Sequence, residues 1–81
     1  MKYLISTAAA EQYAALPPSL KAKFEKQLGF LLSNLRHPSL KAKKYDERKS
    51  VWQARVDRNY RFYFEVHGDT YHILMIIPHP K

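Results

Sequence analysis

The chain has 81 residues, with 14 Lys and Arg against seven Asp and Glu, and its formal net charge is +7. A chain this short supports one modest core, which excludes an active-site cleft between domains. The absence of cysteine excludes disulfides, thiolate metal sites and thiol nucleophiles. We therefore predict a single domain over residues 1–81 whose positive field attracts nucleic acid, an acidic protein partner, or both.

The N-terminal segment predicts a short strand followed by a brief helix. Residues 3–5 form an apolar run, Ser6 or Thr7 then offers an N-cap for an alanine-rich stretch, and the prolines at 17 and 18 end that helix. The apolar run is too short for a signal peptide or a membrane span. We therefore expect a soluble, cytoplasmic protein that does not bind membranes.

The clearest helical period lies between Ser19 and Arg36, and His37-Pro38 is expected to end it. Its apolar stripe comprises Leu20, Phe24, Leu28, Leu31, Leu32 and Leu35. Such a stripe would suit a groove-binding helix, but it is more often the face that a helix turns towards the core. We predict a core-facing helix.

Residues 39–50 are polar and highly charged, which predicts a loop with at most a short strand over 43–46. After this segment the period changes to two, and the runs 51–57, 60–67 and 70–77 predict three antiparallel strands in a meander. The predicted fold class is therefore α+β. A short N-terminal strand precedes two helices packed on one face of a twisted antiparallel sheet, in the order β-α-α-β-β-β.

In the first hairpin of the meander we predict Val56 opposite Tyr60 across a three-residue loop, because this register turns the apolar side chains of both strands to the core. Asn59 is the natural residue for a left-handed position in such a loop. The same register sets Arg55 directly opposite Arg61, and like charges there oppose folding by about 0.2–1 kcal/mol. The stability of the fold therefore does not explain why the two arginines lie opposite each other. Either both arginines form ion pairs with nearby carboxylates on a solvated face, or they serve a function.

In the second hairpin a Gly68-Asp69 turn is predicted to pair Phe64 with Ile73 and Phe62 with Met75 on the core face. The outer face would then carry Arg61, Tyr63, Glu65, His72, Leu74 and Ile76. An arginine beside aromatic and aliphatic side chains suits a phosphate backbone with bases stacked against the surface. It is equally suited to an amphipathic partner segment that covers it.

Four segments of the sequence carry a family resemblance: LRHPSLKAKKYDE, WQARV, NYRFYFEV and ILMIIPHPK. Together with the order of the predicted elements, they resemble the RelE/ParE superfamily of bacterial toxins from type II toxin-antitoxin modules, over essentially the whole chain. The resemblance implies a RelE-like fold, a cognate antitoxin as partner and no cofactor. For the RelE branch it also implies a metal-independent endoribonuclease that cuts messenger RNA on the ribosome and so inhibits translation.

The resemblance further implies roles for four basic residues. Arg61 matches the strand arginine that would hold the scissile phosphate, and Arg55 matches a basic position that holds the phosphate or orients the attacking 2′-hydroxyl. His79 and Lys81 fall near the family's basic terminal motif, where a histidine would carry protons. The residues expected to bind RNA around them are Lys41, Lys43, Lys44, Arg58 and Tyr63. The histidines have no HxxxH or HExxH spacing, so no metal site is expected.

Two positions differ from the family's ribonuclease members. Gln53 stands where the best-known members have a lysine, and Pro80 replaces the arginine of the terminal motif. These differences leave two alternatives open. One is a ParE-like inhibitor of DNA gyrase that acts by protein contact and needs no catalytic residues, and the other is a catalytically degenerate homologue that binds its antitoxin and does little else.

Overall fold

Two helices and five strands follow one another along the chain, in a computed structural model that describes residues 1–46, 48 and 50–79. The elements are β1 (Lys2–Ile5), α1 (Thr7–Ala15), α2 (Pro18–Ser33), a 3₁₀ turn (Pro38–Leu40), β2 (Lys43–Asp46), β3 (Val51–Arg55), β4 (Tyr60–His67) and β5 (Thr70–Pro78). Both helices pack on one face of a sheet whose strand order is β1-β5-β4-β3-β2. The predicted α+β fold is confirmed.

The sheet differs from the prediction in two details. β2 coincides with the short strand that the sequence allowed over 43–46, but it pairs antiparallel with β3, so the meander has four strands rather than three. β1 pairs with β5 in parallel, with Lys2 opposite Thr70, which makes the sheet mixed. A parallel pair needs a long connection. Here both helices and three strands lie between the two partners in the chain.

Helix α1 begins at the predicted place and is tied directly to the sheet. The Ser6 hydroxyl accepts a hydrogen bond from the Ala9 N–H at 3.0 Å and donates one to the Leu74 carbonyl of β5 at 2.8 Å. At the other end of α1, Leu16 is extended and Pro18 opens α2. The proline pair therefore separates the two helices, as the sequence predicts.

Helix α2 buries Phe24, Leu28 and Leu31, so the prediction of a core-facing helix is confirmed. It ends at Ser33, earlier than predicted, because the Asn34 side chain accepts a hydrogen bond from the N–H of Arg36 at 3.0 Å. This local bond competes with continuation of the helix. Within the described part of the chain, neither helix is long and apolar enough to cross a membrane.

The central strand of the core is β4, whose Phe62 and Phe64 are fully buried. Phe24 of α2 packs edge-on against Phe62 with ring centroids 5.3 Å apart, and Tyr71 of β5 packs edge-on against Phe64 at 5.5 Å. Such aromatic pairs contribute about 0.5–1.5 kcal/mol beyond their burial. β4 therefore anchors both α2 and β5.

The β3–β4 register is confirmed. Ala54 lies opposite Phe62 and Arg55 opposite Arg61. The Val56 N–H donates to the Tyr60 carbonyl at 3.0 Å, which closes the hairpin. The two arginines therefore share the sheet face opposite the helices.

The β4–β5 register is confirmed near its turn and wrong beyond it. Phe64 lies opposite Ile73, but a bulge after Tyr63 sets Phe62 opposite Ile76 and not Met75. Leu74 is the extra residue of the bulge, and this insertion lets Ile73 and Ile76 both enter the core. Ile76 is therefore buried instead of lying on the outer face as predicted.

One buried polar side chain, that of Gln27, connects α2 to the 3₁₀ turn and to the end of β3. The Gln27 amide donates to the Arg55 carbonyl at 2.7 Å and to the Ser39 carbonyl at 3.0 Å, and its oxygen accepts from the Ser39 hydroxyl at 3.0 Å. Gln27 is 4% exposed. Because these groups are partly buried, the amide fixes the backbone of Arg55 against the helix layer.

We expect Gln27→Leu to lower the free energy of unfolding by about 1–3 kcal/mol, because two carbonyls and a hydroxyl lose their partner. Urea unfolding followed by circular dichroism measures this change. Ala22→Leu is the matched control, since it adds the same side chain at an exposed position of the same helix. Equal unfolding midpoints for the two variants would contradict the structural role of Gln27.

Candidate functional site

A positively charged cleft, called the cationic cleft below, opens where β3 ends and β4 begins. Its volume is about 280 Å³, and its lining residues are Lys41, Lys43, Gln53, Ala54, Arg55, Arg61 and His79. Four of these seven side chains carry a permanent positive charge and none is acidic. Such a concentration of one charge sign attracts an anionic ligand. Three of the four predicted catalytic residues meet here, and the fourth, Lys81, lies outside the described residues.

Arg61 is held in the cleft by backbone oxygens of the β3–β4 loop. Its Nη1 donates to the carbonyl of Asp57 at 2.6 Å and to that of Tyr60 at 2.9 Å, with the Arg58 carbonyl at 3.4 Å. Neutral carbonyls orient the guanidinium but leave its net charge intact. Arg61 can therefore still present positive charge to a ligand.

Arg55 has an unsatisfied donor in the same cleft. Its Nε is buried and has no hydrogen-bond partner. A buried donor without an acceptor costs about 1–3 kcal/mol, so a native structure that retains one needs an explanation. Among the described residues, neither Arg55 nor Arg61 forms an ion pair with Asp46, Asp57 or Glu65. The two arginines are therefore not explained as surface residues that pair with these three carboxylates.

Of the two lysines of the cleft, Lys41 precedes β2 and Lys43 is its first residue. Lys41 follows the 3₁₀ turn in a left-handed conformation, with φ at 46°, which is uncommon for a residue with a Cβ. Lys43 lies directly opposite Gln53 on the neighbouring strand. β2 thus brings an ammonium group beside Gln53.

His79 lies at the rim of the cleft, just after β5. Its backbone N–H donates to the Asn59 carbonyl at 2.7 Å, which ties the end of β5 to the β3–β4 loop. The residue is exposed, so its imidazole is accessible to a ligand in the cleft. The loop therefore positions both Arg61 and His79.

The other residues expected to bind RNA have different surroundings. Lys44 points to the helix side of the sheet, where its ammonium lies 5.9 Å from the ring centroid of Trp52, because neighbouring residues of a strand face opposite ways. Tyr63 is on the outer face but only 3% exposed, and burial raises the pKa of its hydroxyl. It packs edge-on against Tyr45 with centroids 4.9 Å apart. Tyr63 is thus poorly placed for stacking with a base.

Arg58 lines a second groove that continues from the cationic cleft towards α2. The groove has a volume of about 340 Å³ and shares Lys41 and Arg55 with the cleft. Lys23 and Lys26 of α2 also line it, although no function was predicted for them from the sequence. The sequence offers one signal, since Lys23 and Gln27 are four residues apart and therefore lie on the same face of the helix.

An apolar groove occupies the centre of the outer sheet face. Its volume is about 620 Å³, and it is lined by Tyr45, Asp46, Val51, Tyr63, Glu65, Leu74, Met75 and Ile77. Tyr45 and Met75 are exposed large side chains on its surface. The groove adjoins Arg61, since Ile77 lies opposite that residue. A partner that fills it would also reach the cationic cleft.

Asp57 organises the β3–β4 loop. Its carboxylate accepts hydrogen bonds from the N–H groups of Asn59 and Tyr60 at 2.8 and 2.9 Å and contacts the Lys23 ammonium at 3.4 Å. The prediction that Asn59 is left-handed is therefore wrong, because the side chain of Asp57 turns the chain instead. Burial acts to raise the pKa of Asp57, but these hydrogen bonds and the ammonium outweigh it and hold the pKa below its ordinary value.

We expect Asp57→Asn to lower the free energy of unfolding at neutral pH by about 1 kcal/mol, because hydrogen bonds to a charged acceptor are stronger than those to a neutral one. The folded-state pKa of Asp57 is lowered, so its charge stabilises the fold above the unfolded pKa of about 3.9. This contribution is lost as the pH falls through the lower, folded pKa. Urea unfolding should show the difference between the two proteins shrink as the pH is lowered from 7 to 2.5. A difference that does not change with pH would contradict the assignment.

Comparison with known proteins extends this description. No family model matches the sequence, and no curated protein matches it significantly. Solved structures do match. A YoeB/ParE toxin from Agrobacterium tumefaciens superposes with a TM-score of 0.82 at 14% identity, over 99% of this chain and 100% of the other. The YoeB dimer from Staphylococcus aureus has a TM-score of 0.82 at 16% identity, over 99% and 98% of the two chains.

A third similar structure is a RelB-RelE antitoxin-toxin complex from Methanococcus jannaschii. It superposes with a TM-score of 0.77 at 18% identity, over 93% of this chain and 88% of the other. At these identities the likeness is one of fold. The chain therefore has the fold of RelE/ParE-type toxins, and the resemblance noted in the sequence is confirmed at that level.

Proposed function

We propose that this protein is the toxin of a type II toxin-antitoxin module and acts as a metal-independent, RelE-like endoribonuclease on messenger RNA. The observation that carries the proposal is the Arg55–Arg61 pair, which lacks carboxylate partners among the described residues and includes a buried, unsatisfied Nε. Guanidinium groups bind phosphate through two parallel hydrogen bonds. Arg55 lines the cationic cleft, and a rotation of its side chain would bring the buried Nε to a phosphodiester bound there, which would supply the missing acceptor.

The chemistry requires positioning and fixed positive charge. A 2′-hydroxyl loses its proton to solvent as its oxygen attacks the adjacent phosphorus, the P–O5′ bond breaks, and the products are a 2′,3′-cyclic phosphate and a 5′-hydroxyl. Arg55 and Arg61 stabilise the charge that accumulates on the phosphate oxygens. His79 at the rim is the candidate to deliver a proton to the departing 5′-oxygen, since imidazole exchanges protons near neutral pH.

Lys43 can supply the positive charge that the family's ribonucleases have at the position of Gln53. Gln53 cannot supply positive charge, but Lys43 is its direct cross-strand partner and lines the same cleft. An ammonium from β2 can interact with the same phosphate or with the 2′-oxygen. We therefore infer that the charge absent at position 53 is supplied by the neighbouring strand, which favours catalysis over a degenerate homologue.

The expected protein partner is a cognate antitoxin. A segment with apolar side chains for the apolar groove and carboxylates for the cationic cleft would cover both at once. The similar structure from Methanococcus jannaschii is a toxin bound to its antitoxin, and another from Staphylococcus aureus is a YoeB-YefM toxin-antitoxin complex. We expect the toxin to act in the cytoplasm, where messengers are translated.

Induced expression without antitoxin tests the function. We expect wild type and Arg48→Ala to arrest growth and to produce new cuts within translated messengers, detected by primer extension. Arg55→Ala and Arg61→Ala should abolish both effects while remaining folded. Arg48 is the matched control because it is an exposed arginine beyond the opposite end of β3 from Arg55. Arrest with intact messengers and damaged DNA would instead support the ParE-like gyrase inhibitor, and absence of arrest would support a degenerate homologue.

A second experiment separates charge from backbone strain at Lys41. We expect Lys41→Gly to leave stability unchanged or to raise it by up to about 1 kcal/mol, because glycine adopts positive φ without penalty. It should also reduce the slope of log Kd against log salt concentration for single-stranded RNA by about 1. Fluorescence anisotropy measures the slope. Ser50→Gly is the control, since Ser50 also has positive φ, at 54°, but does not line the cleft. An unchanged slope for Lys41→Gly would remove Lys41 from the RNA interface.

A further inference from the structure

A cluster of three metal-ligating side chains lies at the end of the β4–β5 hairpin nearest its turn. The residues are Glu65 and His67 of β4 and His72 of β5. Glu65 lies directly opposite His72, and His67 is two residues beyond Glu65 on the same sheet face. The cluster therefore belongs to the outer face, at the other end of the hairpin from the cationic cleft.

The donor atoms of this cluster converge on one point. The His67 Nε2 is 3.0 Å from the Glu65 Oε1, and the two imidazole rings lie 4.2 Å apart between centroids. One donor atom from each of the three residues lies within 4.8 Å of the other two. The ligands of a tetrahedral Zn²⁺ ion are about 3.3 Å apart, as metal–ligand distances of about 2.0–2.1 Å require. Side-chain rotation alone can close this gap, because the His67 side chain is 54% exposed.

We propose that Glu65, His67 and His72 bind one divalent transition-metal ion, with Zn²⁺ as the best fit. Two imidazoles and one carboxylate are typical zinc ligands, whereas Mg²⁺ and Ca²⁺ prefer sites built from oxygen. Three protein ligands leave a fourth position open to solvent. The alternative is an ordinary surface hydrogen bond between His67 and Glu65, but that pair does not explain why His72 is adjacent to it.

The strand geometry explains why sequence inspection missed this site. The HxxxH and HExxH spacings place ligands on one face of a helix, whereas a strand aligns residues two apart and the hairpin adds the cross-strand partner. Here the pattern is Glu-x-His before the turn and one His opposite the Glu after it. The absence of a helical motif therefore gave no information about a metal site on these strands.

A bound ion would cross-link β4 and β5 beside the turn at Gly68, whose φ of +60° lets the strands meet closely. It would also fix Glu65, which lines the end of the apolar groove. Ligands that bind only the folded state raise the melting temperature by mass action. The site is separate from the Arg55–Arg61 pair, so zinc binding and RNA cleavage can fail independently.

Calorimetric titration of the full chain, without a polyhistidine tag, with zinc chloride tests the proposal. We expect one Zn²⁺ per chain, and at least about a tenfold loss of affinity in His67→Ala and in His72→Ala, since lesser changes around metal sites already cost this much. His79→Ala is the matched control and should bind as the wild type does. Absence of saturable binding, or an equal loss of affinity in His79→Ala, would overturn the proposal.

Thermal unfolding gives an independent reading of the same site. Zinc should raise the melting temperature of the wild type and of His79→Ala, and this rise should be absent in His72→Ala. Imidazole resonances of His67 and His72, and not those of His37, should shift on zinc addition in NMR spectra. A rise that persists in His72→Ala, or shifts confined to other histidines, would show that zinc binds elsewhere and would overturn the assignment.

Discussion

Arg55 and Arg61 face each other across the β3–β4 hairpin, and the repulsion between them opposes the pairing of the strands by about 0.2–1 kcal/mol. The neighbouring structure holds both residues in place. Loop carbonyls accept the hydrogen bonds of Arg61, and Gln27 of α2 holds the backbone of Arg55. The Arg55 side chain keeps a buried donor without an acceptor. The core thus supports an arrangement that is unfavourable in the free protein, as expected where a site is preorganised for an anion.

The outer sheet face has three parts with different chemistry that follow one another along β4. The cationic cleft lies at the start of β4, the apolar groove lies in the middle, and the carboxylate and histidine cluster lies near the β4–β5 turn. The helices cover the other face and close the core, so the outer face is available for binding. Under the proposed function, an RNA ligand would need only the first part, whereas an antitoxin would gain affinity by covering the first two.

The alternation of side chains between the two faces of a strand made the register of the β3–β4 hairpin predictable. Only one register brings the apolar residues of both strands to the core, and that register sets Arg55 opposite Arg61. The β4–β5 bulge was not predictable in this way. Met75 and Ile76 are both apolar, so the alternation of apolar and polar residues does not show which of the two side chains enters the core. The position of Lys43 beside Gln53 depends on an edge strand in a charged segment without clear periodicity. The predicted hairpin already set Glu65 and His72 on one face, but the Glu-x-His spacing of a strand differs from the helical HxxxH and HExxH motifs that indicate a metal site in a sequence.

The most direct test is to measure stability and RNA affinity together in Arg55→Met, which keeps an apolar stem of similar length but removes the charge and the unsatisfied Nε. Urea unfolding and anisotropy with single-stranded RNA provide the two quantities. If the arginine pair exists to bind phosphate, the variant should be at least as stable as the wild type and should bind RNA at least about tenfold more weakly, a change of about 1.4 kcal/mol. A variant that is less stable and binds RNA equally well would show that Arg55 is structural and would contradict the account.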